Sequence, residues 1–99
     1  MLEVRQTSTY AAWFGRLRER AAKVRIDIRI RRLSLGNPGD SKSVGEGVFE
    51  LRMDFGPGYR VYFFQRGSEY VVLLAGGDKS SQEDDIREAK ALAKELQEH

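Results

Sequence analysis

The stretch VFELRMDFGPGYRVYFFQRGSEYVVLLA, residues 48–75, decides the fold. Residues 48–54 alternate, with Phe49, Leu51 and Met53 on one face and Glu50, Arg52 and Asp54 on the other. Period-two alternation is the mark of a half-buried strand. Gly56-Pro57-Gly58 makes a turn, and residues 59–65 alternate again, with Tyr59, Val61 and Phe63 opposite Arg60, Tyr62 and Phe64. Arg66-Gly67-Ser68 makes a second turn into residues 69–75. There Val71 to Leu74 are apolar on both faces, as a central, covered strand requires. The expectation is a three-stranded antiparallel meander.

Towards the N-terminus, Gly36-Asn37-Pro38-Gly39-Asp40 opens a loop read as running through Gly47. Residues 22–35 fit two readings. Val24, Ile26, Ile28 and Ile30 alternate with polar and charged residues, which is a strand pattern, and periodicity leans that way. Ala22, Ile26, Ile30 and Leu33 also fall on one helical face. Before them, Tyr10, Trp13, Phe14, Leu17 and Ala21 recur at spacings of three and four, predicting an amphipathic helix capped by the Thr7-Ser8-Thr9 hydroxyls. These aromatics read as core. Residues 1–6 read as a short first strand.

Towards the C-terminus, residues 80–98 predict a helix. Ser80-Ser81-Gln82-Glu83 has capping-box spacing, Asp84 and Asp85 suit the positive end of the helix dipole, and Ile86, Ala89, Leu92, Ala93 and Leu96 form the apolar stripe.

The 99 residues suffice for a single domain spanning residues 1–99. There is no cysteine, which excludes disulfides and thiol chemistry and suits a cytoplasmic setting. The single histidine is His99, at the chain end, a poor place for a catalytic imidazole. No run approaches the ~18 apolar residues of a membrane span, so no membrane role is expected. Asp84, Asp85 and Glu88 lack metal-ligand spacing, and no metal or cofactor is expected. The net charge of +2 is uneven. Residues 1–35 carry nine Lys/Arg against three Asp/Glu, whereas residues 80–99 carry three against six. The basic third, including Arg25, Arg29 and Arg32, is suited to a phosphate backbone.

Four segments together carry a family likeness: Gly36-Asn37-Pro38-Gly39-Asp40, Gly45-Glu46-Gly47-Val48-Phe49-Glu50-Leu51-Arg52, Gly56-Pro57-Gly58-Tyr59-Arg60-Val61-Tyr62-Phe63 and Gly76-Gly77-Asp78-Lys79-Ser80-Ser81-Gln82. The chain resembles the RelE/ParE superfamily of toxins, in the phage-related branch of addiction module killer proteins. The resemblance implies an α+β fold of order β-α-α-β-β-β-α, with a helical hairpin on a twisted antiparallel sheet, and so makes residues 22–35 a helix. It implies a toxin of a type II toxin–antitoxin system, an endoribonuclease (mRNA interferase) that inhibits translation by cleaving mRNA on the ribosome. The alternative within the superfamily is a non-enzymatic, ParE-like inhibitor of DNA gyrase. A cognate helix-turn-helix antitoxin is implied as partner, the hetero-oligomer binding operator DNA through the antitoxin.

Cleavage by 2′-hydroxyl attack needs a proton acceptor, a proton donor and positive charge against a phosphorane-like transition state. Without an internal histidine, the work falls to Arg, Lys, Tyr or Asp. Strand alternation puts Arg52 and Arg60 on one face of adjacent strands, where their guanidinium groups can converge on a phosphate or, in the alternative, pair with Glu50 or Asp54 across the sheet. Arg60 sits where the superfamily pattern places its catalytic arginine. Lys79 follows the glycine pair at a helix start, a place suited to anions. The expected catalytic residues are therefore Arg60, Lys79 and Arg52, with Tyr62, Asp78, Arg25, Arg29 and Arg32 binding substrate. Tyr62 is expected to stack a base or pass a proton, Asp78 to serve the site or cap the helix. The acidic C-terminal helix offers no match to the basic or tyrosine residue that several RelE-type enzymes carry there, so the resemblance names no general base.

Overall fold

The computed structural model describes residues 1–97. His99 lies outside them. The elements run β1 (Glu3–Gln6), α1 (Ser8–Arg16), α2 (Arg20–Ser34), β2 (Ser41–Gly45), β3 (Val48–Arg52), β4 (Arg60–Arg66), β5 (Tyr70–Gly77), a 3-10 turn (Lys79–Ser81) and α3 (Gln82–Gln97). The fold class is α+β, as expected. The five strands form one sheet in the order β1-β5-β4-β3-β2.

Two features differ from the expectation. The meander β3-β4-β5 is antiparallel, but β1 joins β5 in parallel, so the sheet is mixed. The segment read as loop contains β2, which pairs antiparallel with β3. Its sequence, Ser-Lys-Ser-Val-Gly, is polar because β2 is an edge strand and most of its side chains meet solvent.

The ambiguous residues 22–35 lie mostly in α2. Ala22, Ile26, Ile30 and Leu33 are buried, whereas Val24 and Ile28 stay 51% and 46% exposed. The helical face was thus the one with a partner, and the alternating isoleucine and valine are split between core and solvent. The chain leaves α1 at Leu17, whose backbone is extended, and re-enters helix at Arg20, so the hairpin bends earlier than the aromatic stripe suggested.

The sheet is covered on both faces. The hairpin α1–α2 packs Tyr10, Ile26, Ile30 and Leu33 against Leu51, Met53, Val61, Phe63, Val71 and Leu73. Helix α3 packs Ala89 and Ala93 against Val48, Tyr62, Phe64, Val72 and Leu74 on the other side. The predicted alternation of β3 and β4 holds: odd-numbered residues face the hairpin and even-numbered ones face α3.

An irregularity in the β4–β5 pairing gives β5 an extra residue between Leu73 and Ala75. Thr7 grips this point, its hydroxyl donating to the Leu74 carbonyl at 2.6 Å while accepting from the Tyr10 amide at 3.0 Å to cap α1. Beyond it the glycine pair is a packing device. A Cβ on Gly76 would fall inside the Trp13 ring, and one on Gly77 would overlap the Asp85 carboxylate. Gly76→Ala must push a large indole out of a filled layer, so it is expected to destabilise the domain by about 1–3 kcal/mol. Urea denaturation measures this, and an unchanged midpoint would remove the packing role assigned to Gly76.

Candidate functional site

Arg52 at the end of β3 and Arg60 at the start of β4 are direct cross-strand partners. The turn between them is held by hydrogen bonds from the Met53 amide to the Tyr59 carbonyl, 3.0 Å, and from the Gly58 amide to the Phe55 carbonyl, 3.1 Å. Gly58 has φ +80°, a conformation that side chains rarely adopt, and a Cβ there would sit 3.4 Å from the Lys79 Cβ and 4.0 Å from the Arg60 Nη1. The turn, the arginine and the lysine therefore meet at one point. Arg52, Arg60 and Lys79 line a single cavity of about 330 Å³, together with Asp40, Met53, Asp54 and Gly58.

Behind the arginines sits Glu50, which has no exposed surface. Its Oε2 accepts from the Gln82 Nε2 at 2.8 Å and from the Tyr62 hydroxyl at 3.1 Å. Arg60 approaches Oε2 through Nε at 3.8 Å, and Arg52 approaches Oε1 through Nε at 3.7 Å. Both are ion pairs without a hydrogen bond, and Glu50 Oε1 and Arg60 Nε are left without a hydrogen-bond partner. Burial, then the neighbouring Glu50 carboxylate, push the Tyr62 hydroxyl above the usual phenol range, so it stays a donor to Glu50.

Several expected substrate contacts are thereby corrected. Tyr62 is completely buried and its hydroxyl is taken, so it has no ring face for a base. Asp78 caps the 3-10 turn, accepting from the Ser80 amide at 2.8 Å and from the Ser80 hydroxyl. Those two hydrogen bonds, the hydroxyl's foremost, hold its carboxyl below the usual range. The capping box is Asp78 with Ser81, two residues ahead of the spacing read from Ser80 and Glu83. Arg29 is half-buried and clamps backbone: Nη1 donates to the Arg52 carbonyl at 2.7 Å, and Nη2 to the Pro38 and Asp40 carbonyls at 3.1 and 3.2 Å. Its role is to hold the 38–40 loop and the end of β3 together.

Arg25 and Arg32 remain exposed. With Ile28, Arg29, Met53, Asp54 and Phe55 they line a second cavity of about 330 Å³, which shares Met53 and Asp54 with the first. The Arg25 guanidinium lies 3.9 Å above the Phe55 ring. Gln82 and Asp40 are site residues that the sequence reading did not pick out, whereas Glu50 and Asp54 entered it as alternative ion-pair partners of the two arginines, and Glu50 is the one that both approach. Glu50 had a signal: alternation put it on the same sheet face as Arg60 and Tyr62, where α3 was bound to cover it.

Residues 12–98 match the family described as phage derived protein Gp49-like (DUF891). The chain belongs to the Gp49-like family. An uncharacterized protein of Haemophilus influenzae is 50% identical over 95 residues, covering 96% of each chain. No solved structure matches the chain. The Gp49-like match takes in the whole cation cavity, both arginines and Lys79 included, together with the Gln82 that braces Glu50. Among the described residues of this Gp49-like protein, no helix is long and apolar enough to cross a membrane and no group of three or more acidic or histidine side chains could hold a metal ion.

Proposed function

We propose that this Gp49-like protein is the toxin of a type II toxin–antitoxin pair, an endoribonuclease of the RelE kind that cuts mRNA on the ribosome. One observation carries the reading: three cations from β3, β4 and the turn before α3 line one cavity, and the guanidinium forks of Arg52 and Arg60 make no hydrogen bond to protein among the described residues. Such forks match the oxygens of a phosphate bidentately.

The chemistry follows from the charges. The RNA 2′-oxygen attacks the adjacent phosphorus, the bond to the 5′-oxygen breaks, and the products are a 2′,3′-cyclic phosphate and a 5′-hydroxyl. Negative charge grows on the non-bridging oxygens, where Arg52 and Arg60 stabilise it. The Lys79 ammonium, exposed at the cavity mouth, neutralises the leaving oxygen and supplies its proton. Asp40 and Asp54 on the cavity wall are the carboxylates available to take the 2′-hydroxyl proton. The adjoining basic cavity of Arg25 and Arg32 extends the path for the RNA backbone. A helix-turn-helix antitoxin is the proposed partner, covering cationic surface until released and carrying the pair to operator DNA.

Induction in a bacterial host tests this. Mapped transcript 5′ ends are expected to rise inside translated frames, phased to codons, and to vanish when translation is blocked. Uncut transcripts with an induced DNA-damage response would replace the reading with gyrase inhibition.

A further inference from the structure

Glu50 takes no part in the cleavage chemistry. Yet Glu50 is the most expensive residue in the site to bury. A wholly buried carboxylate loses its hydration, and two ion pairs at 3.7 and 3.8 Å recover that incompletely. Its partners come from three elements: Tyr62 and Arg60 on β4, Arg52 on β3, and Gln82 at the start of α3.

The geometry of the two ion pairs is informative. Each arginine meets Glu50 edge-on through Nε. The Arg60 Nη1 reaches the cavity lining, 4.0 Å from where a Cβ on Gly58 would sit, and the Arg52 side chain lines the same cavity. A carboxylate that merely quenched the arginines would draw into a two-point hydrogen-bonded contact, through the fork or through Nε and one terminal nitrogen, and neither pair here does so. Tyr62 and Gln82 fix the carboxylate in turn, so it cannot swing to follow its partners. We propose that Glu50 is a positioning residue: it holds Arg52 and Arg60 by their Nε edges so that both forks point into the cavity at a phosphodiester. The inference rests on the cleavage reading for the identity of that phosphodiester, and not for the aim of the arginines.

A positioning role and a counter-ion role predict opposite results for Glu50→Gln. This variant keeps the side-chain shape and removes the charge. If Glu50 only offsets positive charge, its loss leaves a more cationic cavity, with tighter anion binding and turnover equal to or above the parent. If Glu50 aims the forks, anion affinity is kept or tightened while turnover falls. Misplacement of about 1 Å near reacting atoms costs on the order of 100-fold. The expected result is a fall in kcat of roughly 10- to 100-fold, with KM unchanged or lower. Gln82→Ala, which frees Glu50 without touching either arginine, is expected to move the same way by a smaller factor.

The second measurement needs no catalysis. NMR of the arginine Nε–H groups, with inorganic phosphate as the probe, is expected to show Arg52 and Arg60 signals that shift together as phosphate is added, while that of exposed Arg87 stays put. In Glu50→Gln this joint shift is expected to be lost while phosphate still binds. Parental kcat in Glu50→Gln, or an unchanged joint shift, overturns the proposal. If the parent cuts no ribosome-bound mRNA, the cleavage reading falls alone, and the Nε–H result still decides for or against positioning.

Discussion

Replacing Arg52 and Lys79 together by alanine is expected to lower cleavage of ribosome-bound mRNA by at least about 10³-fold and to abolish growth arrest at equal expression. Removing one preorganised donor from a developing oxyanion costs about 10²–10³ in rate. Two such losses need not multiply, because groups acting on one phosphate act as a unit. These two residues are chosen because neither is buried. Lys79 is exposed, and the Arg52 side chain is 39% exposed. Glu50 keeps Tyr62, Gln82 and Arg60 as partners in the double variant while its Oε1 loses the ion pair to Arg52. The denaturation midpoint is therefore expected to fall less than in Arg60→Leu. A double variant that folds and remains fully toxic rules out this cavity as the site of action.

The second large effect falls on stability. Arg60→Leu is expected to destabilise the domain by about 3–5 kcal/mol, because it strips a buried charge of its partner. Glu50→Gln is expected to cost clearly less. The asymmetry lies in where each charge sits. Glu50 has no route to water, whereas Arg60, 8% exposed at its side chain, lines a cavity that water can enter and hydrate. Combining Arg60→Leu with Glu50→Gln removes the stranded charge, so the double variant should recover a substantial part of the Arg60→Leu loss. Equilibrium urea titrations of the three variants close the cycle. Simple additivity would mean that the two groups ignore each other, contrary to the ion pair. The cycle also explains why Arg60→Ala alone is a poor test of activity: lost toxicity there can reflect an unfolded chain.

Much of this architecture is written in the sequence. Strict alternation through Phe49–Asp54 and Tyr59–Phe64 set the faces of the meander, and with them the convergence of Arg52 and Arg60 on one side. What stayed hidden had physical causes. Residues 22–35 carry two periodicities at once, and only the position of the sheet decides which one is buried. The strand at Ser41–Gly45 has no apolar face to reveal it, since it is an edge. The parallel docking of Glu3–Gln6 on β5 is a long-range choice that no local pattern records.

The site was legible in part. Alternation put Arg52 and Arg60 on one face, and the family resemblance singled out Arg60 and Lys79. The sequence misassigned Tyr62 and left Asp78 open between site and cap, because a side chain that can stack or bind is spelled identically when it braces a carboxylate or caps a turn. Gly76-Gly77 entered the reading only as the lead-in to an anion-binding helix start, whereas the pair makes space for Trp13 and Asp85. Arg29 illustrates the same point. A cation in a basic run is indistinguishable by sequence from one whose donors are spent on carbonyls.

The parallel seam between β1 and β5 has a consequence for synthesis. Glu3 pairs with Tyr70 and Gln6 with Leu73, so the first strand to leave the ribosome must wait for the last. Lys79 follows later still. A nascent chain that has emerged only as far as the basic helices holds neither a finished sheet nor a complete cation cavity, and joining segments so distant in sequence slows folding. On the reading proposed here, a protein aimed at the translation machinery is assembled harmless, and becomes competent only after the ribosome making it has nearly finished.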